Sequence, residues 1–258
     1  MINNAATVAA TSPTPDIGMP PRRRPLSLHP VLSALHDSAW FANSSDETLA
    51  ALSSAASLFS FGKKERVLCE GRWLGAAVLV VQGTIHTVRR SEQGRELILE
   101  TFRAGALIPD ASFACDETST ADWLVAGETS LLLLIPQDEF RLVLDNSPQA
   151  ALRLVHDLEK RLQRVKMLAS GLATADVEQR LYLLLYNLAQ DEGPVVPEGA
   201  VISCLPTQQD LASRIGACRE TVSRILAELV RQGSISLVGR RATLAPRFLE
   251  TAKLNGTA

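Results

Sequence analysis

The sequence is poor in cysteine and contains no long apolar run. Its four cysteines lie far apart and form no C-x-x-C pair, which excludes a dense disulfide framework and a local four-cysteine metal or iron–sulfur site. No apolar run approaches the roughly 18 residues that a membrane-spanning helix needs. The N-terminus lacks the charged, apolar and small-residue succession of a signal peptide. We therefore expect a cytoplasmic protein that does not enter a membrane.

The composition is that of a folded protein with unevenly distributed charge. Hydrophobic residues make up 46% and charged residues 21% of the 258 residues, close to globular averages, which excludes wholesale disorder. The net charge is -2, but residues 203–253 contain eight basic and four acidic side chains. Residues 31–173 contain 14 basic and 18 acidic ones. A basic segment joined to an acidic body is a weak indication of a polyanionic partner.

The composition and the hydrophobic pattern of the chain change several times before residue 147. Residues 1–29, rich in Ala, Thr, Pro and Asn with three consecutive arginines, predict a disordered tail because they cannot bury enough apolar surface. Residues 30–146 begin with helical patterns, then continue as β-rich runs punctuated by glycine about every ten residues, which is typical of an antiparallel sandwich or roll. One helix, capped by Ser44 or Ser45, is expected to run through Leu49, Leu52, Ala56 and Phe59. The predicted strands are Val67–Cys69, Val78–Val81, Ile85–Arg89, Leu97–Phe102, Leu124–Ala126 and Leu131–Ile135.

A long helix is predicted over residues 147–173. Ser147 supplies a capping hydroxyl, and Pro148 follows at the first helical position. Six apolar residues then alternate at spacings of three and four, the pattern of a coiled-coil seam. The flanking charges favour pairing with a second copy, and the alternative is a helix packed on its own domain. The seam residues are Val155, Leu158, Leu162, Val165, Ala169 and Leu172.

Residues 174–258 predict two short helices that cross closely. A preceding apolar helix and a Pro- and Gly-rich loop lead to a short strand, Val201–Leu205. Thr207 is expected to cap the first of the two short helices, and Gly216 to end it in a sharp turn. The small Ala212 and Gly216 let a second helix, after Cys218, approach closely, as a helix-turn-helix requires.

The outward face of the second helix predicts base reading in DNA. A recognition helix enters the major groove with its N-terminal residues on base edges. Arginine donates two hydrogen bonds to guanine, and glutamate accepts one from cytosine N4. The alternative is a plain helical hairpin with a solvated charged face. The outward-facing residues are Arg219, Glu220, Ser223 and Arg224.

A β-hairpin after Gly233 predicts a wing. Its strands are expected at Ile235–Val238 and Ala242–Leu244. Arg240 and Arg241 lie at its tip, so we expect both to meet DNA phosphates.

These segments resemble the cyclic-AMP receptor protein/FNR (CRP/FNR) family of bacterial transcription regulators. The resemblance spans about residues 30–250, and Thr207–Ala212, Ile215-Gly216 and Arg219–Leu226 carry it in the helix-turn-helix. Ser91–Glu96 resembles the family's roll hairpin. The resemblance implies an α+β fold: an N-terminal antiparallel β-roll sensor of the cyclic-nucleotide-binding, jelly-roll type (30–146), a dimerisation helix (147–173) and a C-terminal winged helix-turn-helix domain (174–258).

The implied function is sequence-specific binding of double-stranded DNA by a homodimer at an inverted-repeat operator. RNA polymerase is the further partner that the resemblance implies, and Thr207, Gln208 and Gln209 are the implied DNA-backbone contacts beside the wing. We expect no cofactor, no metal and no enzymatic activity, since no Ser/His/Asp grouping, phosphate-cradling loop or metal-ligand cluster occurs in the sequence.

The expected effector pocket departs from that of the cyclic-AMP-binding members. Their Gly-Glu-Leu and Arg-Ser-Ala motifs align with Pro109-Asp110-Ala111 and Ser119-Thr120-Ala121, so Ser119 stands where an arginine neutralises the cyclic phosphate. Their purine-contacting Thr-Ser pair aligns with Val165-Lys166. We therefore expect an effector other than cyclic AMP, or none. The alternative is a module controlled by a cyclic nucleotide or dinucleotide such as cyclic di-GMP, with Lys166 and Arg103 meeting its charge.

Other sensing chemistries find little support in the sequence. No cysteine precedes Cys69, whereas the oxygen-sensing iron–sulfur members need an N-terminal cysteine cluster. His86 is interpreted as a strand residue and not as a haem ligand. Cys69 and Cys115 are either buried inert thiols or redox-active ones, and the sequence does not choose between these.

Overall fold

The computed structural model describes residues 28–72, 74–108, 119–192 and 199–256. Residues 1–27 of the predicted tail, Asp110 and Cys115 lie outside these ranges. The predicted end of the tail at residue 29 is wrong by two residues, because Leu28 and His29 already belong to a helix. The described residues form two compact units. The first contains the residues up to Gly83 and Arg103–Asn146, and the second contains Thr84–Phe102 and the residues from Ser147 onward. No helix within the described ranges is long and apolar enough to cross a membrane.

Eight helices and eleven strands occur in the described ranges. In chain order the helices are α1 (Leu28–His36), α2 (Asp46–Ala55), α3 (Gln137–Asn146), α4 (Pro148–Thr174), α5 (Val177–Glu192), α6 (Gln208–Ile215), α7 (Arg219–Arg231) and α8 (Pro246–Gly256). The strands are β1 (Ser57–Gly62), β2 (Arg66–Leu68), β3 (Ala76–Gln82), β4 (Thr84–Arg90), β5 (Glu96–Arg103), β6 (Leu107–Ile108), β7 (Asp122–Val125), β8 (Thr129–Pro136), β9 (Ala200–Ile202), β10 (Ile235–Val238) and β11 (Arg241–Leu244).

The first unit is built on an antiparallel sheet with strand order β1-β8-β3-β6. Leu79 on β3 pairs with Leu133 on β8, and both are buried. The unbroken apolar runs of these two central strands therefore bury side chains on both faces of the sheet. A separate antiparallel pair joins β2 to β7. All six predicted strands of the roll exist, with boundaries within about two residues of the prediction.

The predicted helix through Phe59 is wrong at its C-terminal end. Ser45 caps α2, its side chain accepting a hydrogen bond from the Thr48 amide, but the helix stops at Ala55. Phe59 instead lies on β1, opposite Leu132 of β8. The helical spacing of the apolar residues continues past Ala56, yet pairing with β8 gives the backbone of residues 57–62 sheet partners. Tertiary pairing therefore overrides the local pattern at this point.

The long helix α4 begins as predicted. The Ser147 hydroxyl accepts a hydrogen bond from the Ala150 amide over 3.3 Å, and Pro148 is the first helical residue. The Arg161 guanidinium binds Glu100 of β5 through two hydrogen bonds of 2.7 and 2.9 Å. It also lies 4.9 Å from the ring centre of Phe102. Both charged side chains are about four-fifths buried, so this pair is screened far less than a surface one and attaches α4 to β5.

The C-terminal part of the second unit has its own core. Its sheet has the order β10-β11-β9, and Leu244 of β11 pairs with Ile235 on one side and Ala200 on the other. Tyr182 of α5 stacks on Phe248 of α8 with ring centres 4.7 Å apart, and burial raises the pKa of the Tyr182 phenol. Further buried members of the core come from α5, α6, α7 and β9: Leu181, Leu185, Ile202, Leu211, Val222 and Leu229.

Candidate DNA-binding surface

The first helix of the predicted motif, α6, starts at a complete capping box. The Thr207 hydroxyl oxygen accepts a hydrogen bond from the Asp210 amide over 3.1 Å. In return, the Thr207 amide donates to the Asp210 carboxylate over 3.3 Å. Two amides at the start of the helix are thereby satisfied. The prediction that Thr207 begins this helix is confirmed.

The turn between α6 and α7 depends on Gly216. Its φ of 63° and ψ of 40° lie in the left-handed region, which glycine adopts without steric cost. A Cβ atom added there would lie 2.9 Å from Leu172 Cδ2 and 3.6 Å from Leu97 Cδ1. The predicted helix end at Gly216 is confirmed, and a side chain there would require the end of the Leu172 side chain to shift.

The second helix, α7, separates an apolar face from a polar one. Val222, Leu226 and Leu229 are buried, and Ala212 of α6 is fully buried. This burial holds α7 across α6. The charged residues of the first two turns point away from that core: Arg219, Glu220 and Arg224 are exposed, and Ser223 is half-buried.

The wing is a hairpin whose two arginines differ. Strands β10 and β11 pair with Val238 opposite Arg241, and Gly239 at the turn has a φ of 60°. Arg241 is exposed. The Arg240 guanidinium instead donates two hydrogen bonds, both 3.2 Å long, from Nε and Nη2 to the carbonyl oxygen of Leu205. This intramolecular role of Arg240 is not apparent from the sequence.

Some arginine side chains of this domain form ion pairs or hydrogen bonds within the protein, and others do not. Arg231 forms an ion pair with Glu228, and that contact raises the pKa of Arg231 and lowers the pKa of Glu228. Arg247 donates a hydrogen bond to the Gln232 carbonyl oxygen, just after the end of α7. Among the described residues of 174–258, three arginine side chains have neither an ion pair nor a hydrogen bond: Arg219, Arg224 and Arg241. Their charges are therefore available to an external anion.

The residues of the expected effector pocket lie in different units. Ser119 belongs to the first unit, where its buried hydroxyl donates a hydrogen bond of 2.8 Å to the carbonyl oxygen of Ala121. Thr120 next to it is exposed. Val165 and Lys166 lie on α4 in the second unit, and both are exposed. Asp110 lies outside the described residues.

The other sensing candidates can be located where they are described. His86 is a buried residue of β4, as the sequence predicts. The free thiol of Cys69 lies 3.8 Å from Nη1 of Arg66, which donates to it. Within residues 28–72, 74–108, 119–192 and 199–256, no group of three His, Cys, Asp or Glu side chains could hold a metal ion.

The predicted seam forms an exposed apolar stripe on α4. Its five large side chains are 37% to 61% exposed, which is unusual for residues of this size when they occur as a continuous row. Ala169 is exposed as well. The five are Val155, Leu158, Leu162, Val165 and Leu172.

Family models match both halves of this architecture. The cyclic nucleotide-binding domain matches residues 58–147, and the Crp-like helix-turn-helix domain matches residues 179–250. The chain is 28% identical to the cAMP-activated global transcriptional regulator CRP of Salmonella typhimurium, over 76% of this chain and 92% of that protein. It is 24% identical to the global nitrogen regulator of Synechocystis, over 72% and 83% of the two chains.

Solved structures share the fold. The c-di-GMP responsive global regulator CLP of Xanthomonas campestris is 22% identical, with a TM-score of 0.62 over 78% of this chain and 99% of that one. A CooA mutant of Carboxydothermus hydrogenoformans is 22% identical, with a TM-score of 0.68 over 80% and 90%. At these identities the similarity supports the fold alone.

The two domain matches define a transcription regulator with a cyclic-nucleotide-binding-type domain and a helix-turn-helix DNA-binding domain. The chain belongs to the CRP/FNR family. The predicted family is thereby confirmed, and so is the predicted α+β fold, with antiparallel sheets in the N-terminal domain and a C-terminal helix-turn-helix.

Gly216→Ala should destabilise the protein by about 1–3 kcal/mol, because a non-glycine residue in the left-handed region is strained and the added methyl group meets Leu172. Gly239→Ala is the matched control, since its φ is 60° but nothing lies within 4 Å of the added Cβ. Urea unfolding followed by circular dichroism should show a larger loss for Gly216→Ala. Equal losses would mean that the packing at Leu172 contributes nothing.

Proposed function

We propose that the protein is a homodimeric, sequence-specific DNA-binding transcription regulator that acts at an inverted-repeat operator and does not respond to cyclic AMP. Residues 30–146 serve as the sensor domain, residues 147–173 as the dimerisation helix and residues 174–258 as the DNA-binding domain. RNA polymerase is the proposed further partner, and no catalytic activity is assigned. The observation that carries the proposal is the pair of exposed, unengaged arginines, Arg219 and Arg224, on the N-terminal half of α7.

The proposed DNA contacts divide into base reading and backbone binding. Residues on the exposed side of α7 read base edges: each arginine fits the two acceptors of a guanine, and Glu220 fits the amino group of a cytosine. The start of α6 and the wing supply backbone contacts, which position the protein without reading sequence. Arg241 is the wing residue with an available charge, whereas Arg240 already donates to Leu205. Ser223 completes the base-reading set, and Thr207, Gln208 and Gln209 complete the backbone set.

Arg224→Ala should weaken binding to the best operator by about 1–3 kcal/mol per half-site and relax the choice at one base pair, since a bidentate guanine contact is lost. The operator should be an inverted repeat containing G·C pairs, with half-sites centred about 34 Å apart. Binding-site selection followed by fluorescence-anisotropy titration measures both effects.

Arg231→Ala is the control for Arg224→Ala, because Arg231 lies on the same helix but pairs with Glu228. It should leave the selected sequences unchanged. If wild type and Arg224→Ala select the same sequences, the assignment of α7 as the base-reading helix is wrong.

Dimerisation through α4 is proposed because the exposed seam residues have the spacing of a coiled coil. Leu162→Asp should give monomers, since it would place an unpaired charge in the seam of the dimer. Met167→Asp is the matched control: Met167 lies on the same helix and is 59% exposed, but it is off the seam, so this variant should stay dimeric. Sedimentation velocity distinguishes the two. A dimeric Leu162→Asp variant would contradict the proposed seam.

Cyclic AMP at millimolar concentration should change neither the melting temperature nor the DNA affinity. Ser119 carries no charge to offset the cyclic phosphate, and its hydroxyl already donates to the Ala121 carbonyl. Thermal unfolding and DNA titration with and without cyclic AMP measure these two quantities. Calorimetric titration with cyclic AMP and, separately, with cyclic di-GMP measures the affinity for each ligand. A micromolar Kd for cyclic AMP would refute this prediction, and heat from cyclic di-GMP alone would favour the alternative of a dinucleotide-controlled regulator.

A further inference from the structure

The wing tip and the segment that leads into α6 are joined by reciprocal hydrogen bonds. The Leu205 amide donates to the Arg240 carbonyl oxygen over 2.7 Å. The Arg240 guanidinium donates back to the Leu205 carbonyl oxygen from two nitrogens, each over 3.2 Å. Both backbone polar groups of Leu205 are thus bound by one residue of the wing. The Leu205 side chain is nine-tenths buried in the core. The wing tip is therefore bonded to a residue that the core holds in place.

Leu205 lies close to the first residue of the helix-turn-helix. Only Pro206 separates Leu205 from Thr207, which caps α6. Proline fixes its own φ and restricts the residue before it to extended conformations. The three-residue connection is therefore stiff. A displacement of Leu205 would be transmitted to the start of α6 and to the backbone contacts proposed there.

The neighbouring arginine has no such role. The Arg241 side chain is exposed and has no hydrogen bond or ion pair within the part of the chain that the structure describes. Two adjacent residues with the same charge are thus held in different ways. Variants of the two residues therefore allow a direct comparison between an arginine that is held by hydrogen bonds within the protein and one whose charge is exposed.

We propose that Arg240 is a positioning residue for DNA binding and not a phosphate ligand. It holds the wing tip against the segment before α6, so that the wing and the start of α6 meet the DNA backbone in one fixed geometry. This inference rests on the proposed DNA-binding function. Arg240 binds the Leu205 carbonyl oxygen through two nitrogens of its planar guanidinium. A lysine at this position would keep the charge but could not reproduce this two-nitrogen contact.

The test compares Ala and Lys at both wing positions in the full-length protein. Operator affinity is measured by fluorescence anisotropy over a series of salt concentrations, well below the melting temperature of each variant. Arg240→Ala and Arg240→Lys should both weaken binding by about ten- to a hundredfold, the effect expected when a hydrogen bond from a charged donor is lost. In both, the salt dependence should equal that of the wild type, because no phosphate contact has been removed.

The variants of Arg241 should behave in the opposite way. Arg241→Ala should lower the slope of log affinity against log salt by about 0.9 per protomer, as expected for one phosphate contact. Arg241→Lys should restore most of the affinity and the slope, since a phosphate accepts lysine as a point charge.

Three results would overturn the inference. In the first, Arg240→Lys restores wild-type affinity while Arg240→Ala reduces the salt slope, which is the behaviour of a phosphate ligand. In the second, the Arg240 variants lose thermal stability but keep full affinity, which is the behaviour of a residue that only stabilises the fold. In the third, wild-type and variant proteins show equal amide exchange at Leu205 and Asp210.

The amide exchange of the free protein separates this inference from the proposed function. The Leu205 amide donates to Arg240, and the Asp210 amide donates to Thr207. Both should exchange faster in Arg240→Ala and Arg240→Lys, and neither should change in the Arg241 variants. A wild-type protein that prefers no inverted repeat over random DNA would refute the proposed function, while faster exchange in the Arg240 variants would still support the link between wing and α6.

Discussion

The close crossing of α6 and α7 is the constraint on which the DNA-binding surface depends. Ala212 is fully buried, and Gly216 turns the chain in a left-handed conformation that favours glycine. Burial of Val222 and Leu226 then orients α7, so that Arg219 and Arg224 must face outward. The surface proposed to meet DNA is therefore a consequence of apolar packing on the opposite side of the helix.

The arginines of this domain divide into those that hold the structure and those whose side chains are exposed for the proposed DNA contacts. Arg240 and Arg247 each donate to a backbone carbonyl, the first beside the start of α6 and the second just after the end of α7. Buried or partly buried carbonyl groups need such donors. Arg219, Arg224 and Arg241 have no partner among the described residues. The net charge of a segment therefore overstates the charge available to DNA.

One face of helix α4 packs on β5, and another face carries an exposed apolar row. Arg161 is held by Glu100 and by the ring of Phe102, both on β5, so this side of the helix is attached within its own unit. The apolar row that includes Leu158 and Leu162 remains exposed. That row stays exposed among the described residues, and a second copy is the proposed partner.

Local patterns in the sequence were sufficient for the elements whose signals are local: the Ser147 and Thr207 caps, the turn at Gly216 and the existence of the six predicted strands. They were also sufficient to identify the family, because its recognition helix is one continuous stretch. Only tertiary structure decided that Phe59 joins a strand, since the partner of that strand lies about seventy residues away. It alone also separated Arg240 from Arg241, because a hydrogen bond to Leu205 depends on where the folded chain returns and leaves no mark in the local sequence.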